Sequence, residues 1–164
     1  MPVDVDTACQ LWWAVIGVGI VNLVAAVTFL FGQREEFTKQ LVEQMAKDNP
    51  NLPMQQDSAN LLFALGLMTL VIVGLALAVL AGLFVHLMRG GRNWARMLVT
   101  MIGVVVVFVG VQLVFGIGTL DGPAALVSGG ASIIQAVLVV GATILLHRHE
   151  SNAYFLNFPP VNTL

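Results

Sequence analysis

The chain has 164 residues, of which 58% are hydrophobic and only 10% charged, and its mean hydropathy is +0.90; a soluble domain carries about 25% charged residues. Most of this chain must therefore face lipid or other apolar helices, and its longest polar stretch, residues 33–57, leaves no room for a separate soluble catalytic domain. A net charge of −2 with no basic block argues against nucleic acid as a partner, and a single cysteine, Cys9, makes neither an internal disulfide nor a metal cluster.

The first apolar segment runs from about Gln10 to Phe31. About 20 apolar residues cross a bilayer as a helix. The preceding residues, Met1-Pro2-Val3-Asp4-Val5-Asp6, are acidic where a cleaved signal peptide is basic, so the segment reads as a retained span. Trp12 and Trp13 open it, where amphipathic rings suit the headgroup level. Gly19, Asn22 and Ala26 share one helical stripe. Small residues there admit a neighbouring helix, and Asn22 supplies a hydrogen bond across the contact. A ligand contact is the alternative use of the same stripe.

Residues 33–57 follow. Phe37, Leu41, Val42 and Met45 recur at helical spacing, and Glu35 with Lys39, and Glu43 with Lys47, pair at i,i+4. The pattern predicts a short amphipathic helix, continuous with the first span, lying on the membrane, or set against a partner. Asp48-Asn49-Pro50-Asn51-Leu52-Pro53 should end it.

The second span is predicted from about Ala59 to Met88, with Asp57 or Ser58 as its N-cap. Its length, about 45 Å at 1.5 Å per residue, exceeds the roughly 30 Å hydrocarbon core. The helix must tilt or project. Gly74, Ala78 and Gly82 form a small-residue stripe suited to close packing against a helix or a partner. The exit reads Arg89-Gly90-Gly91-Arg92-Asn93-Trp94-Ala95-Arg96, with His86 one turn earlier. Arg89, Arg92 and Arg96 are placed to snorkel to lipid phosphates, or to meet an anionic ligand or an acidic partner loop.

The third span covers roughly Trp94 to Gly118, with a β-branched centre at Val104-Val105-Val106-Val107 and one polar exception, Gln112. In lipid, the demand for internal backbone hydrogen bonds overrides the low helix propensity of valine. Thr119-Leu120-Asp121-Gly122-Pro123 reads as a tight turn that starts a helix at Pro123. The fourth span, about Ala124 to His147, carries the small stripe Ser128, Ser132, Ala136 and a second amide, Gln135. The short turn predicts antiparallel neighbours in which Gln112 pairs with Gln135. The tail, residues 148–164, has aromatics suited to the interface and prolines that stop a helix.

These elements predict an all-α fold: a single transmembrane domain over 1–164, built as an integral membrane four-helix bundle with a short amphipathic helix between spans one and two. Arg89, Arg92, Arg96 and Arg148 lie on one side and Arg34, Lys39 and Lys47 on the other, the latter diluted by acids. This bias puts both termini in the cytoplasm, with residues 33–57 outside. No Asp, Glu, Lys or Arg lies in the middle of a span, where coupled transporters and proton relays usually keep one. His147 and His149 point different ways on a helix, and no nucleophile–base pair stands out. The expectation is a protein without enzymatic chemistry, metal or cofactor. Its binding partners would be membrane lipids and a larger membrane complex, docked through Gly74/Ala78/Gly82 or Ser128/Ser132/Ala136. The alternative is a small homo-oligomeric transporter or lipid-binding protein with Asn22, Gln112 and Gln135 around a cavity.

Arg92-Asn93-Trp94-Ala95-Arg96 before the third span and Ser151-Asn152-Ala153-Tyr154-Phe155 after the fourth complete a layout that resembles the small four-span membrane proteins of actinobacteria, mycobacteria included. The resemblance implies a plasma-membrane protein. It also implies one role known in that setting, an accessory subunit beside the permease of a lipid importer of the mammalian-cell-entry (MCE) type. It assigns no functional residue.

Overall fold

The structure, a computed structural model, describes residues 2–48, 55–116 and 123–156. Six helices account for nearly all of them: α1 (Val3–Gly32), α2 (Arg34–Asp48), α3 (Gln56–Arg89), α4 (Asn93–Gly116), α5 (Pro123–Leu146) and α6 (His149–Leu156). α1, α3, α4 and α5 are each long and apolar enough to cross a membrane. The protein is a multi-pass membrane protein with an all-α, four-helix transmembrane bundle. The helix-ending segment after Asp48, the turn expected before Pro123 and the prolines of the tail lie outside the described residues.

The four spans form a ring in chain order. α1 packs on α3 and α5, and α4 packs on the same two; the α1–α5 interface is the most extensive and α3–α4 the least. Small residues set these approaches. A Cβ at Gly74 would stand 2.9 Å from the Leu23 side chain, and one at Gly82 would stand 3.3 Å from the Trp13 ring. The stripe on α3 thus faces α1 of the same chain. On α4, a Cβ at Gly103 would meet Val139 at 2.9 Å and Trp12 at 3.3 Å, and one at Gly110 would meet the Ser132 carbonyl at 3.5 Å and Ala136 at 3.8 Å. Ser132 and Ala136 are likewise used inside the bundle.

Trp12 is not at the lipid boundary. It is 1% exposed, within a cluster that includes Val15, Val85, Val99 and Val139. Neighbouring helix positions point about 100° apart; here Trp12 turns into the bundle and Trp13, 54% exposed, looks outward.

α2 stands against its own chain. Gln56 Nε2 donates to Thr38 Oγ1 at 3.0 Å, and the Phe37 and Phe63 rings lie 5.8 Å apart. The surplus length of α3 is used here: its first turns pair with α2. Phe37, the start of the predicted apolar face, turns toward Phe63 of α3, while Glu35, Glu36, Lys39, Glu43 and Lys47 are exposed.

The opposite end is closed by charge and by α6. Arg89 pairs with Asp6 at 3.4 Å and Arg148 with Asp4 at 3.3 Å. Both acids also lie in the first turn of α1, where the helix dipole favours them. Gly91 takes φ +78° in the α3–α4 turn, a left-handed conformation natural to glycine. Tyr154 Oη donates to the Arg89 carbonyl at 3.2 Å. The N-terminal end of α1, the arginine turn and α6 therefore share one end of the bundle. The tail was expected only to place aromatics at the interface; its first part instead forms α6, anchored by buried Phe155 and by Ser151 Oγ, which donates to the Leu145 carbonyl at 2.7 Å.

Candidate functional site

Three amide and hydroxyl groups meet inside the bundle. Asn22 Nδ2 donates to Ser132 Oγ and to Gln135 Oε1, both at 3.3 Å, and Gln135 Nε2 donates to the Val15 carbonyl at 3.2 Å. Ser132 Oγ in turn donates to the Ser128 carbonyl at 2.7 Å. Gly19 makes room for this arrangement, since a Cβ there would sit 3.1 Å from Gln135 Nε2. With no water in the bilayer core, a polar side chain finds its partner on another helix or on the backbone; here α1 and α5 supply both.

The predicted Gln112–Gln135 pair does not form. The Gln112 side chain is exposed on α4, and the Gln135 amide is committed to α1. A helix pattern identifies which residues are polar, but the azimuth of each helix in the bundle decides which of them meet. Asn22 Oδ1 and Trp12 Nε1 are buried without a hydrogen-bond partner among the described residues.

Beside this cluster, between the contacts that Gly74 and Gly82 make with α1, α3 stands off from α4 and leaves a cavity of about 840 Å³. Val15, Ile16 and Leu23 of α1, Ala78 and Ala81 of α3, and Val106 of α4 line it, and Gln135 contributes the amide on its wall. The volume falls within the roughly 300–1,000 Å³ of small-molecule sites. Several lining residues, Ile20, Leu77 and Val105 among them, are also exposed on the outside of the bundle. The cavity therefore opens sideways, into what is lipid when the protein is in a membrane.

The arginines divide into three situations. Arg89 is held by Asp6, Arg92 is exposed, and Arg96 lies over the Phe155 ring at 5.1 Å with its Nη1 buried and unpaired among the described residues. Arg96 is thus turned toward α6 of its own chain. No group of three His, Cys, Asp or Glu residues suited to a metal ion occurs among the described residues.

No family model, curated protein or solved structure matches this chain.

Proposed function

We propose that this is a non-catalytic membrane protein that holds a hydrocarbon chain of a lipid between α1, α3 and α4. The observation that carries this reading is the sideways-open apolar cavity of about 840 Å³. Its wall amide, Gln135, already bonds Asn22 and Val15, so the cavity suits an uncharged chain rather than an ion. A chain moving in from bilayer gains packing contacts rather than relief from water. Binding is accordingly shape-selective and exchangeable. The test is native mass spectrometry of the purified protein and of Ala81→Phe, whose ring would fill the cavity. The wild type should carry one lipid adduct more than the variant; identical adducts would contradict the reading.

A second reading makes the chain an accessory subunit of a larger envelope complex, of which an MCE-type lipid importer is one example. Its support is the exposed face of α2, where Glu36, Glu43, Lys39 and Lys47 mix both signs of charge. Such a face suits a protein partner better than an anionic lipid surface. Gentle extraction followed by mass spectrometry of co-purifying chains tests it, and migration as a lone small particle would count against it. In either case we place the protein in the plasma membrane with both termini in the cytoplasm, because Arg89, Arg92, Arg96 and Arg148 cluster at one end.

A further inference from the structure

A second groove, of about 450 Å³, lies at the end of the bundle away from α6 and the start of α1. Phe31 of α1 closes one side and Arg34, the first residue of α2, stands at its rim. Its floor is α3, along two adjacent ridges that begin at Phe63 and Ala64 and end at Val71 and Ile72. That run covers about 13 Å at 1.5 Å per residue, close to half of the roughly 30 Å hydrocarbon thickness. Trp13 faces Gly82 and Leu23 faces Gly74, so α1 and α3 run antiparallel. Extending this register brings Phe31 and Arg34 level with Phe63. The groove therefore runs from the junction with the polar helix α2 along α3 toward the middle of the bundle.

We propose that this groove binds one zwitterionic glycerophospholipid with a primary amine, seated with an acyl chain along α3 and its phosphodiester on Arg34. Arg34 is exposed and forms no ion pair among the described residues. Its guanidinium offers a planar fork of donors that matches phosphate oxygens. The next residue, Glu35, is an exposed carboxylate on the same first turn of α2, whereas Glu36, about 200° round the helix from Arg34, accepts from Gln40 Nε2 at 2.9 Å. Glu35 attracts the ammonium of a zwitterionic headgroup and repels a lipid with net negative charge. The Thr38–Gln56 hydrogen bond and the Phe37–Phe63 contact tie the first turns of α2 to α3, which keeps Arg34 at the rim of the groove. The site is separate from the cavity between α1, α3 and α4 and does not depend on that cavity being occupied.

The experiment uses the full chain in nanodiscs containing phosphatidylethanolamine and phosphatidylglycerol with identical acyl chains, followed by native mass spectrometry. With the inner cavity filled by Ala81→Phe, the protein should still retain one phosphatidylethanolamine, in roughly tenfold preference to phosphatidylglycerol, the scale of one charge-assisted hydrogen bond. Arg34→Gln should lose that adduct by a similar factor, and Glu35→Gln should erase the preference between the two lipids. Ala64→Trp keeps Arg34 but fills the groove, and should also lose the adduct. Arg34→Gln is the deciding variant, because an exposed, unpaired side chain can change without unfolding the bundle; unshifted thermal unfolding verifies this. Undiminished retention of phosphatidylethanolamine by Arg34→Gln, or equal retention of the two lipids by the Ala81→Phe protein, would overturn the proposal.

Discussion

The amides of Asn22 and Gln135, 113 positions apart in the chain, meet at 3.3 Å between α1 and α5. Gln135 then reaches the Val15 carbonyl one turn beyond Gly19, and the absence of a side chain at Gly19 is what permits it. This contact fixes the rotation of α1 against α5 and sets the wall of the inner cavity.

Replacing either amide by leucine leaves the other without its partner in a medium that offers no water. Asn22→Leu and Gln135→Leu should each destabilise the protein by about 1 kcal/mol. A double-mutant cycle followed by unfolding in mixed micelles should give a coupling of about 0.6–1.7 kcal/mol. Gln112→Leu, at an exposed position, should stay within about 0.5 kcal/mol of the wild type.

Glycine positions separate in the same assay. Gly103→Ala places a Cβ 2.9 Å from Val139 and 3.3 Å from the Trp12 ring, and should cost about 1–3 kcal/mol by overpacking. Gly17 has nothing within 4 Å of its would-be Cβ. Gly17→Ala should be neutral or stabilising by up to about 1 kcal/mol.

At the closed end, packing outweighs charge. Asp6→Asn removes a pair whose side chains are 62% and 40% exposed, and should cost less than about 1 kcal/mol, with the cost shrinking further in salt. Phe155 is buried under Arg96, and Phe155→Ala should cost about 3 kcal/mol or more. Hydrogen exchange should show α6 losing protection in Phe155→Ala and keeping it in Asp6→Asn.

The spans were legible because hydropathy over about 20 residues is a strong signal. α2 was legible because Phe37, Leu41, Val42 and Met45 keep a helical period. The partners of these helices were not. Gly74 and Gly82 announce a close contact, but nothing in their spacing says that Leu23 and Trp13 fill it. Asn22 stands out as an amide in an apolar span, while its bond to Gln135 depends on how α1 and α5 are rotated. Asp4 and Asp6, read only as an acidic leader, gain their role from Arg148 and Arg89, which the ring of helices brings to the same end. α6 was hidden because eight residues make no stable helix alone; Ser151 and Phe155 hold it through tertiary contacts. The cavity has no sequence signature, being the space left where α3 stands off from α4.

Orientation is testable apart from function. With Cys9 replaced by serine, single cysteines at Lys47 and Asn152 should label from opposite faces of the membrane. The Asn152 position should react only after the cytoplasmic face is opened. Labelling of both from one face would refute a bundle with four crossings.

A lipid chain lying inside the ring of helices is read directly by photo-crosslinking. The protein in nanodiscs is irradiated with a phospholipid carrying a diazirine in its acyl chain, and adducts are mapped by mass spectrometry. Adducts should appear on the inward residues Ala78, Ala81 and Val106 and disappear in Ala81→Phe. Adducts confined to outward positions such as Val79 and Leu83, and unchanged in Ala81→Phe, would contradict it.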